Sequence, residues 1–449
     1  MILTSYREDS ALRPLKTLAR TLSLTLCCSG LLLAPVIHAQ SANELWFERS
    51  DLQLPRQTSV GVLENGLRFV LLPIPNSQHN VAVRVVMNAG LLQEQGGQEG
   101  SSMYAAAQTL GQFSSVAKAQ LELNQTVLSL HANSVNQMDS AFSELAIALV
   151  NDSPLNASEL EKTVENIAID GRLLAPALSY AQQQQIQRSF NALQNRLSQV
   201  NSTQAMGFKQ RFYAPKNITL VVVGDFNKRQ LEQWIAKQFG DWQRTAATIP
   251  SPVVIPSLHT QTQITTKQDV SFNALSSYLP ERDSKQQRRE TMLIQVANAA
   301  LQNRLNQILQ QEGLSASTQV EWMMDTAVWS SVTVTGVTQE QSDKIQQQVQ
   351  AEIQRALANG FSKAEFELAV TTIRARLLAQ TELSPADHIR NQADRLVNDI
   401  AQRKVYLAPS SELALFDLFM AHAYEGDLTP ALKQSWSNPP ILNIVPSAS

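Results

Sequence analysis

The chain has 449 residues, 43% of them hydrophobic, and a formal charge of -3. That is ample material for a packed core and, by length, for two or more domains. The near-neutral balance, without a long basic run, leaves nucleic-acid binding without electrostatic support. The six histidines (His38, His79, His131, His259, His388 and His422) never fall within five residues of each other, which excludes any helical two-histidine metal motif.

Residues 1–39 have the pattern of an export signal. Arg7, Arg13, Lys16 and Arg20 precede the apolar run Leu22 to Ile37, and Ile37-His38-Ala39 resembles a small-residue cleavage site that would leave Gln40 as the new terminus. A membrane anchor and a lipoprotein are the rival readings. Ser23, Thr25, Ser29, Gly30 and Pro35 interrupt the apolar core, and Leu26 stands before Cys27 where a small residue is needed. Cys27 and Cys28, the two cysteines, both lie in this segment, so the remaining chain has neither a disulfide nor a cysteine nucleophile.

Beyond it, Ser59 to Leu63 and Leu67 to Leu72 are strand-like runs joined by Asn65-Gly66, a pair that tolerates the positive φ of a hairpin turn. Val81 to Met87 is a valine-rich strand, Ser101 to Leu110 a helix, and Thr126 to His131 an alternating, half-buried strand. Ser140 to Val150 and the Gln-rich stretch from Ala157 to about Gln199, broken at Pro176, are helical. Ile218 to Val223 then forms a buried strand, Gly224-Asp225 a turn, and Asn227 caps a helix that buries Leu231, Trp234, Ile235 and Phe239.

Residues 244–260 contain Pro250, Pro252 and Pro256 with few charges and predict a stiff linker. The second half repeats the order of the first. Strands are expected at Gln261 to Thr266, Phe272 to Tyr278, Thr318 to Met323, Val328 to Thr335 and Ile441 to Val445. Helices are expected at Gln286 to Gln310, Gln339 to Ala358, Lys363 to Gln380 and Pro385 to Gln402. The fold class is α+β: two homologous half-domains, 50–243 and 261–446, each a mostly antiparallel sheet covered by helices.

Several stretches resemble the insulinase/pitrilysin family of zinc metallopeptidases. Leu63-Glu64-Asn65-Gly66-Leu67, Ala89-Gly90 and Glu94 to Gly100 are similar to its approach to the active-site helix. Tyr213-Ala214-Pro215-Lys216-Asn217, Val223-Gly224-Asp225-Phe226 and Phe239-Gly240-Asp241-Trp242 are similar to the end of a family half-domain. The family's helix reads G-x-x-H-x-x-E-H, with zinc on the two histidines and a further glutamate. Here the histidine positions hold Met103 and Ala107, and the glutamate position holds Ala106. A thioether and two methyl groups offer neither the usual ligands nor a base for water. The further glutamate would fall near 161–169, where Glu165 reads as solvated helix surface without the histidines beside it. A second family signature, an arginine and a tyrosine seven residues on that hold the substrate carbonyl, would fall at Leu309 or Gln310 and at Ala316. Arg304 belongs to the preceding helical turn and is not promoted. Met103 and Tyr104 read as packing in place of a metal site; the rival reading is a peptide-binding patch.

The resemblance implies one half of a two-half clam-shell whose chamber takes extended peptides on a sheet edge. No cofactor is expected: zinc belongs to the family, but its ligands are missing here. The implied protein is a non-catalytic homologue in the periplasm, partner of a zinc-bearing homologous subunit or self-associating, with peptides as ligands and no membrane segment once the signal is removed. A free-standing peptide-binding or assembly protein, and an active metallopeptidase with an unorthodox site, are the alternatives.

Overall fold

In the computed structural model the described residues are 47–447, apart from 76, 96, 114–116, 170–179, 196–199, 201, 246–257, 259, 278–281 and 324–326. The export-signal reading, most of the linker and Tyr278 lie outside them. None of the helices among the described residues is long and apolar enough to cross a membrane.

The first sheet has seven strands: β1 (Ser59–Val62), β2 (Arg68–Pro73), β3 (Val81–Met87), β4 (Lys118–Leu121), β5 (Thr126–Ala132), β6 (Ile167–Ile169) and β7 (Ile218–Gly224). Their order is β1-β2-β7-β3-β5-β4-β6. The β2–β7 and β4–β6 pairs are parallel and the others antiparallel. The turn between β1 and β2 sits at Gly66, φ +90°. Six helices accompany this sheet: α1 (Ser101–Leu110), α2 (Val135–Val150), α3 (Ala157–Val164), α4 (Tyr180–Gln194), α5 (Ser202–Phe212) and α6 (Lys228–Phe239). Asn227 caps α6 as its sequence position suggests, its side chain accepting from Gln230 N–H at 3.0 Å.

β3 and β7 are buried along their whole length, because apolar residues face both ways. Phe69, Leu71, Val83, Val85, Leu220 and Val222 point to the core that includes α1, α2, α5 and α6. Val70, Leu72, Ala82, Val86, Val221 and Val223 point to the opposite face.

The second sheet is β11-β8-β10-β9, all antiparallel, with β8 (Lys267–Ser277), β9 (Ala316–Met323), β10 (Ala327–Thr338) and β11 (Ile441–Pro446). Gln261 to Thr266 does not form the strand its sequence suggests. Only Thr262 bridges to Ile444, and Ile264 is exposed, so the segment has no apolar face to bury. Five helices build the core on one side: α7 (Lys285–Leu309), α8 (Ser342–Asn359), α9 (Lys363–Thr381), α11 (Pro409–Met420) and α12 (Leu428–Ser435).

The helix between them, α10 (Pro385–Ala401), does something else. Its apolar stripe Ile389, Ala393, Leu396 and Val397 covers the second face of the first sheet. The first sheet is therefore sandwiched between helices, one layer of which comes from the second half of the sequence. Arg84 on β3, buried on that face, donates to Asp394 of α10 at 2.6 Å and to Val83 O at 3.1 Å. A polar network ties the segment that follows this helix to the start of α7. Asp283 accepts from Arg288 Nε at 2.7 Å, Arg288 Nη2 at 2.9 Å and Val405 N–H at 2.7 Å, and Arg288 Nη2 also donates to Val405 O at 2.8 Å.

Asp399, near the end of α10, sits among Arg288, Lys404, Arg395 and Glu412. Burial pushes its carboxyl up to about 7, against the pull of the three cations. A carboxyl whose folded value lies above its unfolded one stabilises fully below the unfolded value, about 3.8, and that contribution is lost as pH rises through about 7. The urea midpoint should accordingly fall from pH 4 to pH 7, and Asp399→Asn should flatten the fall. Equal slopes for wild type and variant would remove Asp399 from the account.

Candidate functional site

The loop into α1 is shaped by contacts that local sequence does not announce. A Cβ at Gly90 would lie 2.3 Å from Glu122 O and 2.7 Å from Gln125 N, so only glycine lets the two backbones approach there. Gly100, at φ +86°, precedes the helix and has no side chain to cap it. Glu94 does so from six residues upstream. Its carboxylate accepts Gly100 N–H at 3.0 Å, Ser102 N–H at 3.0 Å, the Ser102 hydroxyl, and the Ser189 hydroxyl of α4 at 2.7 Å. The positive end of α1 favours a carboxylate there. Burial opposes the charge and dominates, raising the Glu94 carboxyl above its usual range while the hydrogen bonds pull it down.

All ten residues of α1 are buried. Met103, Ala106 and Ala107 each have 0% exposure and belong to the apolar core of the first sheet. The helix is enclosed by α2, α3, α5, β4, β5 and β6. Met103 and Tyr104 therefore do not form an exposed patch; both are core residues. Glu165 closes the C-terminus of α3 and is exposed. The residues present do not fit a zinc ion: thioether and methyl groups offer no donor of the required kind. Among the described residues no three His, Cys, Asp or Glu side chains are grouped as a metal site.

α5 adds a buried cation beside α1. Lys209, with 0% exposure, donates to Ala148 O at 2.9 Å and to Asn151 O at 2.5 Å, closing the C-terminus of α2. Burial lowers its ammonium to about 8. Its hydrogen bonds go to helix carbonyls, so its role is to hold α2 and α5 together.

The second site position behaves alike. Leu309 ends α7 with 0% exposure and Ala316 opens β9 at 5%, both in the second core, while Gln310 is exposed. Arg304 is a strut: Nε and Nη2 bind the two oxygens of Glu365 at 2.5 and 2.9 Å, Nη2 also reaches Gly360 O at 2.9 Å, and the guanidinium lies 4.7 Å from the Phe361 ring centre. The bidentate pair holds the Glu365 carboxyl down to about 2. Arg304 thus joins α7 to α9. The roles of Glu94, Asp283 and Lys209 were not read from the sequence: each also bonds a distant segment, Ser189, Val405 and the end of α2 respectively, although the nearer partners Gly100, Ser102 and Arg288 lie within eight residues.

Residues 199–373 match the family described as Peptidase M16 inactive domain. No curated protein matches the chain in sequence. Among solved structures, a predicted insulinase family protease from Yersinia pestis is 19% identical with a TM-score of 0.68, over 89% of this chain and 94% of that one. The periplasmic protease PqqL from Escherichia coli is 16% identical with a TM-score of 0.68, over 88% of this chain but 48% of its own length. A mutant of the ferredoxin protease FusC in complex with Arabidopsis ferredoxin is 15% identical with a TM-score of 0.64, over 86% of this chain and 47% of that one. This chain has the α+β fold of the M16 half-shell, and spans about half of the two longer relatives.

Proposed function

We propose that this chain, M16-type by its matched domain and its fold, is a non-catalytic half-shell that works beside a zinc-bearing homologous chain outside the cytoplasm. The observation that carries the reading is the fully buried Met103, Ala106 and Ala107 on α1. Where a peptidase needs ligands and a base turned to a chamber, this helix has all ten residues buried. The position matching the family's substrate-holding tyrosine is equally a core residue, Ala316. A half-shell of this kind supplies shape and substrate grip, and chemistry would come from a second half. Two relatives, PqqL and FusC, are about twice as long as the matched region, which supports a requirement for a second half. The positive segment and apolar run at 7–37, with PqqL described as periplasmic, support export.

The test is affinity isolation of the tagged full-length chain at native expression levels from its own cells. The reading expects a homologue with an intact H-x-x-E-H helix in stoichiometric amount. Recovery of this chain with no homologue would defeat it. A second reading, a free-standing binder of peptides or proteins, is favoured by one observation, the FusC mutant that holds ferredoxin. It predicts peptide binding by this chain alone, with no homologous partner.

A further inference from the structure

A cavity of about 390 Å³ opens between α7, α9 and β9. Its wall follows from helical spacing. Ala299, Gln302 and Asn303 recur at three- and four-residue intervals on one face of α7, and Ile373 and Arg376 do the same on α9. Val320 closes the strand side. Ala299 and Ile373 belong to the second core and Val320 packs against it, so part of the wall is apolar. The volume is at the lower end of the range of small-ligand sites.

The polar part of the wall is made of donors. Asn303 Nδ2 is buried with no hydrogen-bond partner, an arrangement uncommon enough in folded proteins to call for an occupant. The Gln302 amide is fixed in direction, because its Oε1 already accepts the Thr318 N–H at 2.9 Å and the Thr318 hydroxyl at 3.1 Å. Its Nε2 has no partner among the described residues. Arg376 forms no ion pair among the described residues, and its one hydrogen bond there runs from Nη2 to Gln295 Oε1 at 3.5 Å. Glu321 also stands on the lining, but it is exposed and alternates with Val320 along β9. Its charge limits how much negative charge a ligand can carry.

We propose that this cavity binds a small monocarboxylate with a short aliphatic tail. The carboxylate oxygens accept from the amides of Asn303 and Gln302 and from the guanidinium of Arg376, whose planar fork matches a carboxylate. The tail lies against Ala299, Val320 and Ile373. A neutral amide in the same place loses the charge-assisted bond to Arg376, and a dicarboxylate meets repulsion from Glu321. The site lies within one chain and uses none of the residues that carry the partnership reading, so either can fail alone.

The probe is butyrate, titrated calorimetrically into the full-length protein beside butyramide and succinate. Butyrate should bind, and the other two should bind about tenfold more weakly or not at all, as the loss of one hydrogen bond between charged groups implies. Arg376→Met, at an exposed position of α9, should weaken butyrate by about the same factor. Asn303→Leu should do so too, and because Asn303 Nδ2 has no partner to lose, the thermal midpoint of the ligand-free variant should be unchanged or higher. A purely structural asparagine would lower it. No butyrate binding by the wild type at tens of millimolar, equal binding of butyrate and butyramide, or equal binding of butyrate by wild type and both variants would overturn the assignment. If Asn303→Leu does not fold, Arg376→Met decides alone.

Discussion

Ala106→Glu should cost the folded protein about 3–5 kcal/mol and lower its melting temperature by roughly 4–6 °C, with no gain of metal binding. Ala106 has 0% exposure inside the first core. A carboxylate there would lie in the apolar core with Met103 and Ala107, while Lys209 beside the helix already donates to the carbonyls that end α2. In an active site of this helical type the same glutamate is stabilised by water and zinc. Here the desolvation is uncompensated. Calorimetry of wild type, Ala106→Glu and the smaller Ala106→Ser, each with and without zinc, separates the cases. A glutamate variant as stable as the wild type would mean that α1 opens to a polar chamber. Stabilisation of that variant by zinc would mean the same.

Glu94→Leu should destabilise by roughly 3 kcal/mol, more than Glu94→Gln. The leucine leaves two main-chain N–H groups and two hydroxyls without their acceptor, and a buried donor left unpaired costs about 1–3 kcal/mol. Glutamine keeps one oxygen and carries no charge. Because burial raises the Glu94 carboxyl above 4.5, the stabilisation it gives is complete below that value and declines as pH rises through the folded value. Hydrogen exchange at Gly100 and Ser102 is the local readout. Both amides should exchange much faster in the leucine variant. Unchanged protection there would show that α1 is held by its packing alone.

Much of the fold is written in period. β2, β3, β5 and β7 were legible because their apolar residues alternate or run continuously, and α6 because Leu231, Ile235 and Phe239 recur at helical spacing. β4 and β6 were not: four and three residues long, they are held in the sheet by their neighbours. α11 and α12 were missed as well. α11 mixes Leu413, Leu415 and Leu418 around its circumference with no clean polar face, and α12 is eight residues long. The placement of α10 shows a deeper limit. Its stripe at Ile389, Ala393 and Leu396 announces an amphipathic helix, but nothing local says that the stripe covers the first sheet and not the second. The site divides the same way. The missing ligands could be read letter by letter at Met103, Ala106 and Ala107. Glu94 as the cap of α1 could not, since it stands six residues before Gly100, outside the usual cap position, and the loop between has to fold back to bring it there.

Zinc content of the purified full-length chain after dialysis tests the central claim most directly. Three buried core residues at the metal positions predict no retained zinc and no peptide hydrolysis by this chain alone. One zinc per chain, lost when His79 or His131 is replaced, would contradict it.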